Sequence, residues 1–434
     1  MSLLRRVPLL ASLLGLLMVA ATAEIVLDGA VGHSPLIPES PDISSWLTGI
    51  GERLGFRVFL IALLVSSVAY AGIVAASRLR GRGGISGRWA IGLVGLLHLI
   101  VFVGPVLLST DVFSYIAYAR MGVEHGVNPY LNGPQAIHFD PVFRYVGPDW
   151  RKAASAYGPL YTLISYPFAP LGLVGALWAM KVEALLASAG TLALVWRCAE
   201  LRGFDPVRAL LIVGANPLYF VYGLGGAHND LVMMLAMMGA VALTLGAEGT
   251  STRREGSAAA LIVAGAMIKA TVGTLLPFMI VARRRLAPIV GAVVSFVVVA
   301  LAGYAVFGIH GVNIVAALNR DASFVSSDSF ADEIAHLLGK PGVFPIDHDL
   351  LKVALVLIVL HLLWRTWRGY DWVAASGWAL LAISVTSTWV LAWYILWPLP
   401  LAAICKDRRL LAATLFVQGL FVVHQMVPLL VPGG

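Results

Sequence analysis

The chain has 434 residues, 59% of them hydrophobic and only 12% charged, with a formal net charge of +7 and a mean hydropathy of +0.86. Soluble domains run at about half apolar and about a quarter charged, so this composition excludes an ordinary globular fold and points to an all-α polytopic membrane protein. The basic surplus argues against nucleic acid, because Arg and Lys fall in short clusters between apolar runs (Arg5-Arg6, Arg78 to Arg88, Arg253-Arg254, Arg283 to Arg285, Lys406 to Arg409), the pattern of cytoplasmic retention signals.

With Arg5-Arg6 inside, a first helix over about 7–27 exits. Ala21-Thr22-Ala23 imitates a signal-peptide cleavage site; an uncleaved first helix is the preferred reading, and the later orientation is the same either way. Residues 28–55 form an outer loop with a short surface helix over 43–54. A helix over 57–77 returns to the arginine-rich loop, and one over 90–109 exits and delivers Asp111 to the outer face. Residues 110–157 are a long outer loop, a length that in a compact protein usually has a function. The apolar stretch 160–171 is too short to span and lies in or dips into the interface. Helices over 172–197, 207–224 and 231–245 follow. The turn Gly225-Gly226-Ala227-His228-Asn229-Asp230 then falls on the same outer face as Asp111.

Residues 258–282 lie between two basic clusters that both belong inside. One crossing cannot place them so. Two half-helices meeting near Lys269 in a re-entrant hairpin can, and irregular backbone is tolerated where it lines a cavity. Lys269 then stands at the tip, at the N-terminus of the second half-helix, a seat for phosphate. A helix over 286–307 leads to a second long outer loop, 308–349, carrying Asp321, Asp328, Asp332 and Glu333. Helices over 350–367 and 372–388, a turn over 389–394, a short helix and a last span over 410–427 complete the chain. The expected architecture is one membrane domain over 1–434 with about 11–13 transmembrane helices, hairpin included. No internal repeat is visible. Cys198 and Cys405, each near a cytoplasmic helix end, imply neither a disulfide framework nor a thiolate metal site.

Asp111 is the first acid after the apolar span from Trp89, placed where a carboxylate can act as a base or can simply terminate a helix. Tyr115, Tyr118 and the turn Asn128-Pro129-Tyr130 fit a helix-then-turn that presents aromatics to a sugar, as does Tyr157. Arg120 is a candidate for bidentate phosphate binding, with a structural ion pair to Asp111 or Glu124 equally physical. His228, Asn229 and Asp230 read as a site for sugar hydroxyls or a leaving phosphate, or as a polar turn with Asp230 capping the next helix. A divalent metal is not favoured, because a third ligand is missing, and no cofactor is expected. Lys269 is an intramembrane charge and so a functional candidate. Lys181 and Glu183, at i, i+2, do not face each other and each needs another partner. His98, His361 and His424 read as packed or hydrogen-bonded helix residues. Trp389, Trp393, Tyr394 and Trp397 read first as an interfacial belt, although a groove for a polyprenyl chain or a sugar uses the same residues.

In order, Thr110-Asp111-Val112-Phe113-Ser114-Tyr115, Arg120-Met121, Asn128-Pro129-Tyr130, Tyr157-Gly158-Pro159, Asn216-Pro217-Leu218, the Gly225–Asp230 turn and Lys269 resemble the bacterial polyprenol-phosphomannose-dependent α-1,6-mannosyltransferases of the C-type (GT-C) glycosyltransferase superfamily. The pattern spans roughly 90–400. Here the acidic loop follows the third expected helix, whereas in many superfamily members it follows the first. The resemblance implies a multi-pass plasma-membrane enzyme that takes mannose from a polyprenyl phosphate on the extracytoplasmic face and passes it to a mannan or lipoglycan acceptor, inverting the anomer. It makes Asp111 the general base. The mechanism expected on that basis has Lys269, with Arg120 or His228, bind the donor phosphate, and Tyr115, Tyr118, Asn128, Tyr130, Tyr157, Asn229, Asp230, Trp393 and Tyr394 are the candidate sugar- or acceptor-binding residues. Two other readings fit the residues: a GT-C enzyme moving another lipid-linked sugar such as arabinose or glucose, and a transporter or lipid flippase with Asp111, Lys269 and His98 as a charge relay.

Overall fold

A computed structural model describes residues 3–30, 56–78, 84–245 and 251–430, and among them the fold is helical throughout, without strands. The surface helix expected over 43–54 lies outside the described residues, as do Arg80 and Arg82. Three apolar helices, α1 (Leu3–Ala30), α2 (Phe56–Ala76) and α3 (Gly87–Val103), come first, with α1 packed on both others. Ser86 caps α3 by accepting the Trp89 amide at 3.2 Å. The helix ends at Gly104-Pro105, short of the expected 109, because proline has no N–H to continue the ladder. The residues so released carry the Leu107 amide to the Gly225 carbonyl at 2.9 Å.

The long loop over 110–157 is more ordered than its composition implied. It opens with α4 (Asp111–Val123) and continues through 3-10 segments at Pro134–Ile137, Pro141–Tyr145 and Pro148–Trp150. Each starts on a proline, where the missing N–H is not needed. Next come α5 (Pro159–Ser165), a 3-10 stretch to Leu171, the long α6 (Gly172–Leu201) and α7 (Pro206–Gly214). The single helix expected over 207–224 is broken. Pro217 interrupts it, the Asn216 side chain accepts the Leu218 amide at 3.0 Å, and the chain resumes as a π-helix over Tyr219–Leu224. Such segments are rare and cluster at functional sites.

After α8 (Asp230–Thr244) come α9 (Thr252–Ala266), α10 (Leu275–Arg283) and α11 (Leu286–Phe307). The link between α9 and α10 is an extended Lys269 (φ −146°, ψ 120°) and a 3-10 turn. Arg285 lies 3.4 Å from Glu255, and Arg283 donates to the Thr244 carbonyl at 3.1 Å. The two ends of the α9–α10 unit therefore meet each other, and α10 ends against the C-terminus of α8. Lys269 instead meets Asp230, at the other end of that helix, about 21 Å away at 1.5 Å per residue. Basic clusters and polar turn thus occupy opposite ends.

The remaining helices are α12 (Ile314–Asp321), α13 (Phe330–Leu337), α14 (Pro345–Trp367), α15 (Trp372–Thr386), α16 (Leu399–Ala403) and α17 (Arg408–Gln425), before a last turn at Val427–Leu430. Among the described residues four segments are long and apolar enough to cross a membrane: Leu9–Gly29, Phe56–Ala76, Pro159–Leu201 and Leu286–Asp321. Helix α11 leaves Val290, Val293, Val294, Val297, Val298 and Leu301 exposed, an apolar face matched to lipid and not to water. The chain is a multi-pass membrane protein. Within its helices Lys181 donates to the Gly104 carbonyl, and Glu183 accepts from the Tyr161 hydroxyl at 3.4 Å. The cysteines are free and buried.

Candidate active site

Asp111 stands in the first turn of α4, where the helix dipole favours a negative charge, with its amide donating to Ser109 Oγ at 3.1 Å. Three non-glycine residues among those described have positive φ, and two of them flank the site: Leu108 (62°) before Asp111 and Ala227 (50°) before His228. Each such conformation costs about 1–3 kcal/mol and persists only where the surroundings enforce it. The Leu107–Gly225 hydrogen bond joins these two turns and supplies that enforcement.

The three polar residues of the turn go to three different partners. His228 is fully buried, with Nδ1 3.5 Å from Asp111 Oδ2 and its ring stacked on Trp393 (centroids 3.6 Å, 24° between planes). Neither ring nitrogen makes a hydrogen bond. Asn229 Oδ1 accepts from the Tyr115 hydroxyl at 3.3 Å. Asp230 takes Lys269 Nζ on both oxygens at 2.8 and 2.9 Å and Trp397 Nε1 at 2.6 Å. The ammonium also lies 4.4 Å from the centroid of Tyr394, which stacks on Trp397. The aromatic run Trp393–Trp397 is therefore the floor of the site, not a lipid-facing belt.

Backbone pairing places Lys269. Gly158 and Leu160 donate to the carbonyls of Ile268 and Met267, each at 3.1 Å. A Cβ on Gly158 would stand 1.8 Å from the Met267 oxygen, so only glycine permits this approach.

A cavity of about 280 Å³ opens above the floor, with Asp111, Asp321, Lys269 and Arg320 in its lining. Two acids and two cations thus face one space. Tyr118, Tyr157 and Tyr394 also line it, whereas Tyr115, His228, Asn229, Asp230 and Trp393 form the buried layer behind. Among the described residues no three His, Cys, Asp or Glu side chains gather to hold a metal ion.

Three expected site residues lie elsewhere. Arg120 grips Asp140 from Nε (3.0 and 2.9 Å) and Nη2 (2.8 Å) and donates to the Ala169 carbonyl at 3.1 Å, so its guanidinium is engaged in the loop and absent from the cavity. The partner is neither Asp111 nor Glu124. Burial alone would raise the Asp140 carboxyl, but Arg120, His125 at 2.7 Å and the Val142 amide outweigh it and hold it below the usual range. Asn128 donates to the Phe307 carbonyl at 2.8 Å and accepts the Tyr130 amide, while the Tyr130 hydroxyl donates to the Tyr157 carbonyl at 2.9 Å. Asn128 thus ties the loop to the end of α11, and the Tyr130 hydroxyl, also 3.0 Å from Thr162 Oγ1 of α5, packs behind the cavity lining. Sequence reasoning missed Arg320, which donates to Asp321 at 3.0 and 2.8 Å. A signal existed: an arginine in a loop expected on the outer face departs from the positive-inside rule.

Residues 9–285 match the family model of the alpha-(1->6)-mannopyranosyltransferase N-terminal domain, and residues 156–423 match that of glycosyltransferase family 87. The chain is 26% identical over 432 residues to alpha-(1->6)-mannopyranosyltransferase A of Mycobacterium tuberculosis, covering 91% of this chain and 80% of that one. It is 30% identical over 195 residues to alpha-(1->6)-mannopyranosyltransferase A of Corynebacterium glutamicum, covering 43% and 37%. Against alpha-(1->6)-mannopyranosyltransferase B of the same organism it is 26% identical over 176 residues, covering 36% and 27%.

Proposed function

This chain belongs to the alpha-(1->6)-mannopyranosyltransferase family and to glycosyltransferase family 87, and from that premise we propose that it moves mannose from a polyprenyl-phosphate donor to a mannan or lipoglycan acceptor on the outer face of the plasma membrane. It is a glycosyltransferase of the membrane. The observation that carries the finer reading is the cavity itself, in which Asp111 faces Lys269 and Arg320. The outer-face assignment is supported by the basic clusters at the opposite end of α8, since such clusters are retained inside.

In the proposed reaction the Asp111 carboxylate accepts the proton of an acceptor hydroxyl. That oxygen attacks the anomeric carbon from the face opposite the phosphate, the new C–O bond forms as the bond to phosphate breaks, and the electron pair leaves on the phosphate oxygen. A single displacement inverts the anomer, so a β-linked donor gives an α-linked product. Lys269 gives two N–H groups to Asp230 and keeps a third for the phosphate. Arg320, whose side chain is held among the described residues by its neighbour Asp321, is the second cation in reach and takes the place expected for Arg120. Such preorganised charge is usually the largest contribution to catalysis. His228 stands beside Asp111 and fixes its surroundings.

Purified protein in lipid nanodiscs, offered polyprenyl-phosphate mannose, arabinose and glucose and a nucleotide-linked mannose, tests the donor. Label is expected in an α-mannoside acceptor from the polyprenyl-phosphate mannose. Label from the nucleotide sugar alone contradicts the reading.

A further inference from the structure

We propose that the mouth of the cavity is a subsite for the second sugar of an oligosaccharide acceptor, built from Trp150, Phe324 and Trp389 and completed by the Asp321 carboxylate. The proposal rests on the mannosyltransferase reading, and its test is arranged to fail separately from it.

The three rings come from three distant segments: the end of the Pro148–Trp150 turn, the residues after α12 and the residues after α15. They meet edge to face, with centroids 6.2 Å apart for Trp150–Phe324, 6.2 Å for Trp150–Trp389 and 5.4 Å for Phe324–Trp389. Trp150 and Trp389 line the same cavity as Asp111 and Asp321, and all three rings are half-buried. An interfacial belt spreads its aromatics around the perimeter. It does not gather three at one opening above a carboxylate and a guanidinium.

The cluster is also fixed relative to Asp111. Ser326 donates its amide to the Thr388 carbonyl, and the Thr388 hydroxyl donates to the Phe324 carbonyl, both at 2.9 Å. These bonds clasp the two loops that bear Phe324 and Trp389. On the other side, a Cβ on Gly147 would lie 2.8 Å from Thr110 Oγ1 and 3.2 Å from Trp150 Cδ1, so a bare glycine lets Trp150 close on the residue next to Asp111. A pyranose suits such a place. Its C–H face is apolar and weakly positive, which matches the negative face of an aromatic ring, while its hydroxyl edge needs acceptors, which Asp321 provides. The cavity of about 280 Å³ falls just below the range of ligand pockets, roughly 300–1,000 Å³. It leaves the next unit of the acceptor to lie across the rim.

The test compares acceptors with one and three α-linked mannoses. Wild type is expected to prefer the longer acceptor, and W389A or D321N to reduce that preference about tenfold, with W389F retaining most of it. Saturation-transfer NMR with the trimannoside and no donor gives a binding readout independent of catalysis, in which W389A is expected to lose the signal of the second mannose. An unchanged preference together with unchanged NMR contact in W389A overturns the subsite, as does an equal loss on both acceptors. If wild type transfers no mannose yet shows contact that W389A abolishes, the transfer reading fails and the subsite stands.

Discussion

His228 Nδ1 lies 3.5 Å from Asp111 Oδ2, and the contact exists because the Leu107–Gly225 hydrogen bond locks the turn before one residue to the turn before the other. The imidazole is wedged between the carboxylate and the face of Trp393, so it cannot move aside. H228Q keeps a polar group at this position and removes the ring. The ring makes no hydrogen bond of its own and acts by holding the carboxylate in place. A displacement of about 1 Å in a site can cost on the order of 10²-fold, so kcat/KM for mannosyl transfer is expected to fall by up to about that factor, measured with purified enzyme at saturating acceptor. Unchanged kcat/KM would show that the imidazole has no part in catalysis.

Arg120 and Arg320 separate structure from substrate binding. Removing Arg120 from its pair with the buried Asp140 leaves that carboxylate with His125 and the Val142 amide. The cost is below that of a fully unpaired buried charge, about 3–5 kcal/mol, so R120A is expected to lower the melting temperature. R320A removes a cation from the cavity and leaves that pair intact. Its expected effect is a higher donor KM with the melting temperature nearly unchanged. Thermal unfolding alongside donor titration distinguishes the two, and the reverse pattern contradicts the assignment.

Asp140 makes a pH prediction. Its folded value is held below the ordinary 3.8, so its stabilisation is complete above that ordinary value and is lost as pH falls through the lower folded one. Melting temperature followed from pH 7 down through the carboxylate range is expected to drop more steeply in wild type than in D140N. D140N starts lower at neutral pH, because it lacks the charged partner of Arg120. Parallel curves would contradict the prediction.

Gly158 is the position on which Lys269 depends. G158A puts a methyl into the Met267 carbonyl, and overpacking of this kind costs about 1–3 kcal/mol. The backbone bearing Lys269 has to shift, and a displacement of about 1 Å in a site can cost on the order of 10²-fold. Transfer is expected to fall by about that factor in protein that still purifies as a monodisperse species. Full activity would show that Lys269 needs no such positioning.

The parts of the site visible in the sequence were those that broke a pattern. Asp111, the His228–Asp230 turn and Lys269 are polar interruptions of apolar runs, and topology alone put the first two on one face. Pairing across the fold was not visible. Lys269 read as a free cation because Asp230 precedes it by two helices, and Arg120 read as a phosphate ligand because Asp140 lies across a loop of 3-10 turns whose geometry leaves no periodic trace. Trp393 and Trp397 looked like a belt because interface aromatics and the floor of a sugar site use the same side chains. The breaks at Gly104-Pro105 and Asn216-Pro217 shortened two expected helices, and the first of them frees the segment that carries the Leu107–Gly225 bond.

Asp111 is the centre of the account, and its direct test is the single-turnover rate of mannose transfer from polyprenyl-phosphate mannose by wild type, D111E and D111N in nanodiscs. General-base help contributes typically about 10²–10⁴-fold, so D111N is expected to lose activity within that range while still binding the donor, and D111E to recover part of it. Near-normal transfer by D111N would contradict the assignment of Asp111 as the base.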